Sequence, residues 1–576
     1  MKFFQRILII FMMLFLLTAC TTRSNEENTL QVVDEPVAIE SEEETYVDPY
    51  VLMKNVHARK AISLAIDKGS FIHMAGYDDF ITADYLVPKN FVFDKGTDYR
   101  AFNQEGWMHY NPVLAREYWN MAKEELSFTN AHIHFYSFDG PSIYSISDRI
   151  KESIESTLDG MTVELIQRPF SSQRYPKDVP IHMLYEGWGP DYPDPMTFLE
   201  MWVTDGDYNT AGFSNEIYDE VVDHIKHSDL ANSYVERVLA VQSLERMLIE
   251  EEAVIVPLYQ RRRFELVKSY VKGIVGHSFG GRVSYKQAST QADDQGRQVL
   301  HLATRTDIPS LDTNKATDLF SFEILGNTME GLFSLGEKEV LEFGVAKSYH
   351  KSEDGLNYTF KLRENAVWSN GAPVTAEDFA YSWKRLADPK TQMMYQFMIE
   401  IAAFKNYETV MNGDVDPSEL GVKPIDDHTL QVTLERPIPY FEKLLTFPSF
   451  YPVNQAFAES MGESFGTSAD TTLYNGPFIV SDWKDNQDYS MTMNDVFRMV
   501  KNEAYWDAQH VVMDEVSYMF SDEIQENIEL YKEGKLDKVV VYGDELALLG
   551  EDAELVQSLE PVMFYLVLNQ YPFNME

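Results

Sequence analysis

Strand-patterned and helix-patterned segments alternate from about residue 51 to residue 572, and one polar run, QASTQADDQG at 287–296, interrupts them. Alternation sustained over that length assigns an α/β or mixed α+β class with mixed sheets. Residues 55–67 (NVHARKAISLAID) put Val56, Ala58, Ala61, Ile62, Ala65 and Ile66 mostly on one helical face. Residues 116–126, 148–158, 215–225, 233–251 and 522–533 also read as helices, and 375–385 as a helix capped at Thr375. Residues 132–136, 162–166, 299–304, 357–362, 429–434, 474–480, 511–520 and 563–568 read as strands. The run AVIVPLY at 253–259 reads as a buried strand whose proline places it at a sheet edge or a crossing between lobes.

The chain has 576 residues, enough for about four units at roughly 150 residues each. Hydrophobic residues make up 44% and aromatic residues 13%, which supports sizeable cores. The net charge of −44 excludes nucleic-acid binding driven by counterion release. A single cysteine excludes an intramolecular disulfide and any Cys-cluster metal site. That cysteine is Cys20. Before it come Lys2, Arg6 and an apolar run over 7–17, too short to cross a hydrocarbon layer of about 30 Å comfortably and of signal-peptide length. The run ends Leu17-Thr18-Ala19-Cys20, which resembles a bacterial lipobox. Residues 1–20 are therefore expected to be a lipoprotein signal, with Cys20 the lipidated residue. Residues 21–50 carry Glu26, Glu27, Asp34, Glu35, Glu40 and Glu42 to Glu44 without apolar periodicity, and read as an acidic tether.

No catalytic set is apparent. P-loop, HExxH and Rossmann signatures are absent. GHSFG at 276–280 matches GxSxG, but the Gly281-Arg282-Val283-Ser284 that follows reads as turn and strand rather than the helix a nucleophile elbow requires. His224 and His227 lie three apart on a helix without an evident third ligand, and Arg261 to Arg263 read as local ion pairing on an acidic chain. The chain is read as a binding protein, with no enzyme activity, cofactor or metal expected.

From about Arg297 the sequence resembles the first half of a family 5 extracellular solute-binding protein, the oligopeptide receptor of ABC importers. The stretches are 308–333 (IPSLDTNKATDLFSFEILGNTMEGLF), 354–391 (containing WSNGAPVTAEDF), 420–441, YNGPF at 474–478, KNEAYWD at 501–507 and FYLVLNQYPF at 564–573. Residues 53–288 resemble that family's second half, through NVHARKAISLAID, LVP at 86–88, WGPDYPDPMTFLEMW at 188–202, VIVPLYQ at 254–260 and 271–288. The two halves stand in reversed order, the arrangement of a circular permutation with its new join at 287–296. A chimera of two half-genes, or halves swapped between chains, remains an alternative origin of this order.

The resemblance implies a two-lobed periplasmic-binding-protein-like fold (type II, cluster C) with an extra subdomain. It implies a far lobe at 51–258, a core lobe from 259–332 and 474–576, and a subdomain at 333–473 on the core lobe. It implies an oligopeptide held between lobes by β-augmentation, through Gly187, Trp188 and Gly189 on one side and Ala316, Thr317, Asp318 and Leu319 on the other. It implies that Asp191 receives the peptide's ammonium group, and that Tyr185 occupies the position where some relatives carry a basic residue for the carboxylate. Asn475 and Gly476 read as structural. The implied partners are ABC permease subunits and a membrane reached through the lipid anchor. The implied location is extracytoplasmic, at a Gram-positive surface, with the protein a monomer or a swapped dimer. A peptide-pheromone or other solute receptor, and a non-transporting surface lipoprotein, are the competing expectations.

Overall fold

The computed structural model describes residues 44–576 apart from 73–79, 95–96, 139, 169–179, 207, 229, 231–233, 484–495, 522, 542, 547–548, 550–553 and 573–576. Cys20, the signal segment and most of the tether lie outside the described residues. Among the described residues no helix is long and apolar enough to cross a membrane.

The largest sheet runs in the order Phe80–Thr82, Ile255–Val267, Leu555–Leu568, Met183–Trp188, Ala131–Phe138, Met161–Arg168, with Lys538–Val541 added beside Ile255–Val267. Ala131–Phe138 pairs in parallel with Met161–Arg168 and Met183–Trp188, whereas the remaining pairs are antiparallel. The chain's last strand thus lies inside a sheet built otherwise mostly from its first 267 residues. Met563 and Tyr565 to Leu568 are at most 1% exposed, because a run apolar on both faces can rest only in a sheet covered on both sides.

Ile255–Val267 is interior to the sheet rather than at its edge. Pro257 falls where its register with the last strand shifts, between Phe564 and Tyr565, so its missing N–H coincides with an irregularity in the ladder. A second shift separates Leu559 from Met563 on the same pair. Beyond that shift parts of the two long strands turn from the main core, although Val267 still packs against it. Phe264 and Leu266 pack instead with Ile528, Tyr531, Leu536, Val539 and Val541 in a small separate core.

A second sheet runs Val299–Thr304, Glu515–Phe520, Val496–Lys501, Phe478–Asp482. A third, antiparallel, runs Ala346–Lys351, Asn357–Leu362, Thr429–Thr433, Val422–Asp426. Helix Ala376–Ala387 buries Phe379, Ala380, Trp383 and Leu386. It opens on Thr375, whose backbone N–H donates to Asp378 Oδ2 at 2.8 Å. One hydrophobic core extends from Leu52 to Leu568, so both halves of the chain pack together within a single polypeptide. The 287–296 run is a tight ordered connection. Ser289 and Lys272 exchange backbone hydrogen bonds at 2.9 Å, and Asp293 accepts from the backbone N–H groups of Gln295 and Arg297.

A buried ion pair ties the sheet's periphery together. Arg100 and Glu245 are 1% and 0% exposed and pair in fork geometry at 2.7 and 3.0 Å. Glu245 also accepts from the Leu86 and Val87 backbone N–H groups at 2.9 Å and from the Trp107 indole at 3.1 Å. Glu245 lies on helix Tyr234–Arg246, which also carries Arg237.

Candidate functional site

The ladder between Met183–Trp188 and Ala131–Phe138 ends at Tyr136 and Leu184. Gly187 and Trp188 continue beyond it, paired with Phe564 and Met563 on one side. On the opposite side no second strand pairs with residues 187–189 among the described residues. A strand left with an open edge can accept one more extended segment. Gly187 is required by its neighbour: a Cβ there would come within 2.7 Å of the Phe564 ring. Trp188 packs edge-on against Tyr208 at 5.6 Å between ring centroids, and its buried indole N–H has no partner among the described residues.

The chain then enters Asp191-Tyr192-Pro193-Asp194-Pro195, whose two aspartates are treated very differently. Asp194 caps the following turn, accepting from Met196 N–H at 3.0 Å, and is paired with buried Arg237 at 2.7 Å. The Asp191 carboxylate has no cation beside it among the described residues. Burial, and then the negative charge of Glu200, push its pKa up to about 6. Glu200 cannot relieve it. Its oxygens are taken by the Tyr192 hydroxyl at 2.5 Å and by Lys226 at 2.9 Å. The Asp191 backbone N–H is held by Thr197 Oγ1 at 3.0 Å, which fixes where the carboxylate stands.

The other sequence-identified segment begins a helix. Asp318 is the N-cap of helix Leu319–Thr328, accepting from Ser321 N–H at 2.8 Å through Oδ1. Its Oδ2 is buried without a hydrogen-bond partner among the described residues. Ala316 is buried, whereas Thr317 and Leu319 are exposed. Tyr395 connects the two segments. Its phenol pKa is raised by burial and then by the charges of both Asp191 and Asp318. Asp191 and Asp318, more than a hundred residues apart in sequence, both act on Tyr395. Next to Asp191, Tyr192 stacks on Tyr440 at 5.2 Å, and a cavity of about 360 Å³ lies between Pro193 to Pro195 and Tyr349, Tyr440 and Glu442.

Tyr185 is placed elsewhere. It is 0% exposed, and its hydroxyl is hydrogen-bonded to that of Tyr259 inside the sheet. Asn475 exchanges hydrogen bonds with the Glu330 backbone at 2.9 and 3.0 Å, and Gly476 N–H donates to Thr328 O at 2.9 Å. A Cβ at Gly476 would lie 2.6 Å from the Thr328 carbonyl carbon. Gly476→Ala is therefore expected to destabilise the chain by roughly 1–3 kcal/mol, read as a lower denaturant midpoint. GHSFG forms a turn between the short strands Val275–Gly276 and Val283–Ser284, without the helix an elbow needs. Arg263 pairs with Glu265 at 2.8 Å and Glu560 at 3.8 Å. His227 pairs with Asp223 on its own helix at 2.9 Å. Sequence reasoning missed the roles of Glu200, which lies in the same 188–202 stretch as Asp191, and of Lys226 and Tyr395, which come from separate segments.

The family model described as "Bacterial extracellular solute-binding proteins, family 5 Middle" matches residues 48–210 and 341–575. The chain is 38% identical over 238 residues to a dipeptide-binding protein of Lactococcus lactis, covering 41% of this chain and 42% of that protein. It is 34% identical over 242 residues to the periplasmic oligopeptide-binding protein OppA of Salmonella typhimurium, covering 42% of each. Among solved structures, the substrate-binding domain of an oligopeptide ABC transporter from Bacillus anthracis aligns at 44% identity with a TM-score of 0.39, covering 42% of this chain and 44% of that one. Peptide-bound OppA of Listeria monocytogenes aligns at 37% identity with a TM-score of 0.39, covering 42% and 46%. In each of these matches the chain spans less than half the length of its relative.

Proposed function

The chain belongs to family 5 of the bacterial extracellular solute-binding proteins, a family of binding proteins and not of enzymes, and from that premise we propose that it captures oligopeptides between two lobes and delivers them to an ABC permease. The observation that carries this reading is the Asp191 carboxylate, half-buried and, among the described residues, without a cation, beside the open edge at Gly187 to Gly189. A peptide supplies what each lacks. Its ammonium neutralises Asp191, and its backbone adds to the strand edge with hydrogen bonds worth about 0.5–1.5 kcal/mol each. The names of the Lactococcus and Salmonella relatives, which bind dipeptides and oligopeptides, agree with this ligand class.

In this reading the halves are circularly permuted and close within one chain, and the two long strands crossing between cores, with their register shift at 559–563, serve as the hinge. The lobes are 51–258 and 259–332 with 474–576, and 333–473 is the subdomain. Cys20 anchors the chain to the membrane through two or three acyl chains, enough for stable attachment. In the native host, Cys20→Ser is expected to abolish fatty-acid labelling and shift the protein to the medium. Retained membrane association would remove the anchor.

Calorimetric titration with free-amine peptides tests the ligand assignment through its pH dependence. With Asp191 raised to about 6 in the free protein, affinity is expected to fall up to about tenfold per pH unit as pH drops below that value. It falls again above about pH 8, where the peptide amine loses its proton. A profile flat from pH 5 to 7 contradicts the ammonium role.

The same shift has a stability consequence. A carboxyl raised from 3.8 to about 6 makes the folded state bind more protons than the unfolded one, so stability falls as pH rises through that window. The full penalty, up to about 3 kcal/mol, is present above pH 6. Asp191→Asn is therefore expected to raise the melting temperature of the ligand-free protein at pH 7.5 and to leave it nearly unchanged at pH 4.

A further inference from the structure

A second polar cluster lies on the same large sheet, away from Asp191. Strand Ala131–Phe138 carries His132 and His134 two residues apart, so their imidazoles share one face. The neighbouring parallel strand Met161–Arg168 places Glu164 opposite His134 in register. His132 Nε2 is 3.3 Å from Glu164 Oε2, and His134 Nε2 is 3.5 Å from the same oxygen. The three donor atoms lie within 4.8 Å of one another. A tetrahedral zinc ion with bonds of about 2.0–2.1 Å spaces its ligands by roughly 3.4 Å. Two edges of the triangle therefore already have the length such an ion sets.

Hydrogen bonding prepares the site further. His134 Nδ1 lies 3.0 Å from the Pro180 carbonyl oxygen, which can only accept. With Nδ1 engaged by that carbonyl, Nε2 is the nitrogen that faces Glu164 and is available to a metal. A backbone carbonyl holding the far nitrogen is the usual outer partner of a metal-bound imidazole. His182 is engaged as acceptor of the His134 backbone N–H at 2.9 Å. The His132, His134 and Glu164 side chains are 42%, 20% and 57% exposed, which leaves the ion a route in and a position for water.

We propose that His132, His134 and Glu164 form a divalent-metal site that takes zinc, with water as the fourth ligand. The strands fix the ligand backbones, so the ion needs only side-chain rotation to close the third edge. The site is separate from the Asp191 locus and stands or falls independently of peptide binding.

The test is calorimetric titration of the full chain with zinc chloride at pH 7.5. One ion per chain is expected at micromolar affinity or tighter. His134→Ala is expected to weaken that site at least ~30-fold and Glu164→Gln about tenfold, while His227→Ala on the distant helix leaves it unchanged. X-ray absorption of the zinc-loaded unmodified chain should show two imidazoles, a readout that does not depend on any variant folding. Failure to bind one zinc ion, full affinity in a folded His134→Ala, or fewer than two imidazoles in the absorption spectrum each overturns the assignment.

Discussion

Asp191→Asn is expected to weaken binding of a free-amine peptide by at least about 100-fold and to leave an N-acetylated peptide bound as before. The direction follows from the charge balance at the site. Glu200 is already satisfied by Tyr192 and Lys226, and Asp194 by Arg237, so among these acidic groups Asp191 is the one whose charge awaits a partner. A desolvated ammonium that loses its carboxylate costs about 3–5 kcal/mol, well over two orders of magnitude in affinity. An acetylated amine has no charge to lose, so the substitution costs it little. Calorimetry with the two peptides on both proteins separates the cases, and an equal loss for both removes the ammonium role. Asn is a nearly isosteric replacement, and the stability gain expected above pH 6 argues that lost binding will not be lost folding.

The largest expected stability effect lies at Glu245. Glu245→Ala leaves the Arg100 guanidinium buried and three further N–H donors unpaired, from Leu86, Val87 and Trp107. Removing one partner of a buried pair costs about 3–5 kcal/mol, and each stranded donor adds to that. The denaturant midpoint should fall sharply. The double variant Arg100→Met with Glu245→Leu removes both charges, and should recover part of the loss because replacing a buried pair by apolar groups is often neutral. A single variant as stable as the parent would show that the pair contributes little. The same helix carries Arg237, which holds Asp194 and hence the loop bearing Asp191, so Glu245→Ala is also expected to blunt peptide affinity.

Helix Glu216–His227 was legible because Asn215 is a strong cap and the apolar positions repeat at helical spacing. In the structure the Asn215 side chain accepts from two N–H groups of the first turn. The two long strands were legible only in their apolar parts. Residues 253–259 and 563–568 read as strands, but Arg261 to Arg263 and Leu555 to Leu559 carry no clean alternation. Their strand character comes from pairing with each other, a long-range fact that local pattern does not carry. Asp318 was singled out through family resemblance; that it also caps a helix depends on where Leu319–Thr328 begins. Asp191 was legible as a residue, but its surroundings were not: Glu200 stands nine residues on in the same stretch without any pattern that marks it as a neighbour, and Tyr395 reaches it through the tertiary fold. The His132–His134–Glu164 cluster escaped for a similar reason. Residues 132–136 were read only as a strand, and Glu164 is brought opposite His134 by strand register.

The central claim is that the two halves of one chain close a single cleft that holds a peptide. Native mass spectrometry of the purified chain tests it most directly, because mass reports assembly and ligand together. The expected spectrum shows a monomer, part of it carrying peptide masses, with occupancy rising on addition of a free-amine peptide and not in Asp191→Asn. An obligate dimer, or a monomer that stays ligand-free when peptide is added, would contradict it.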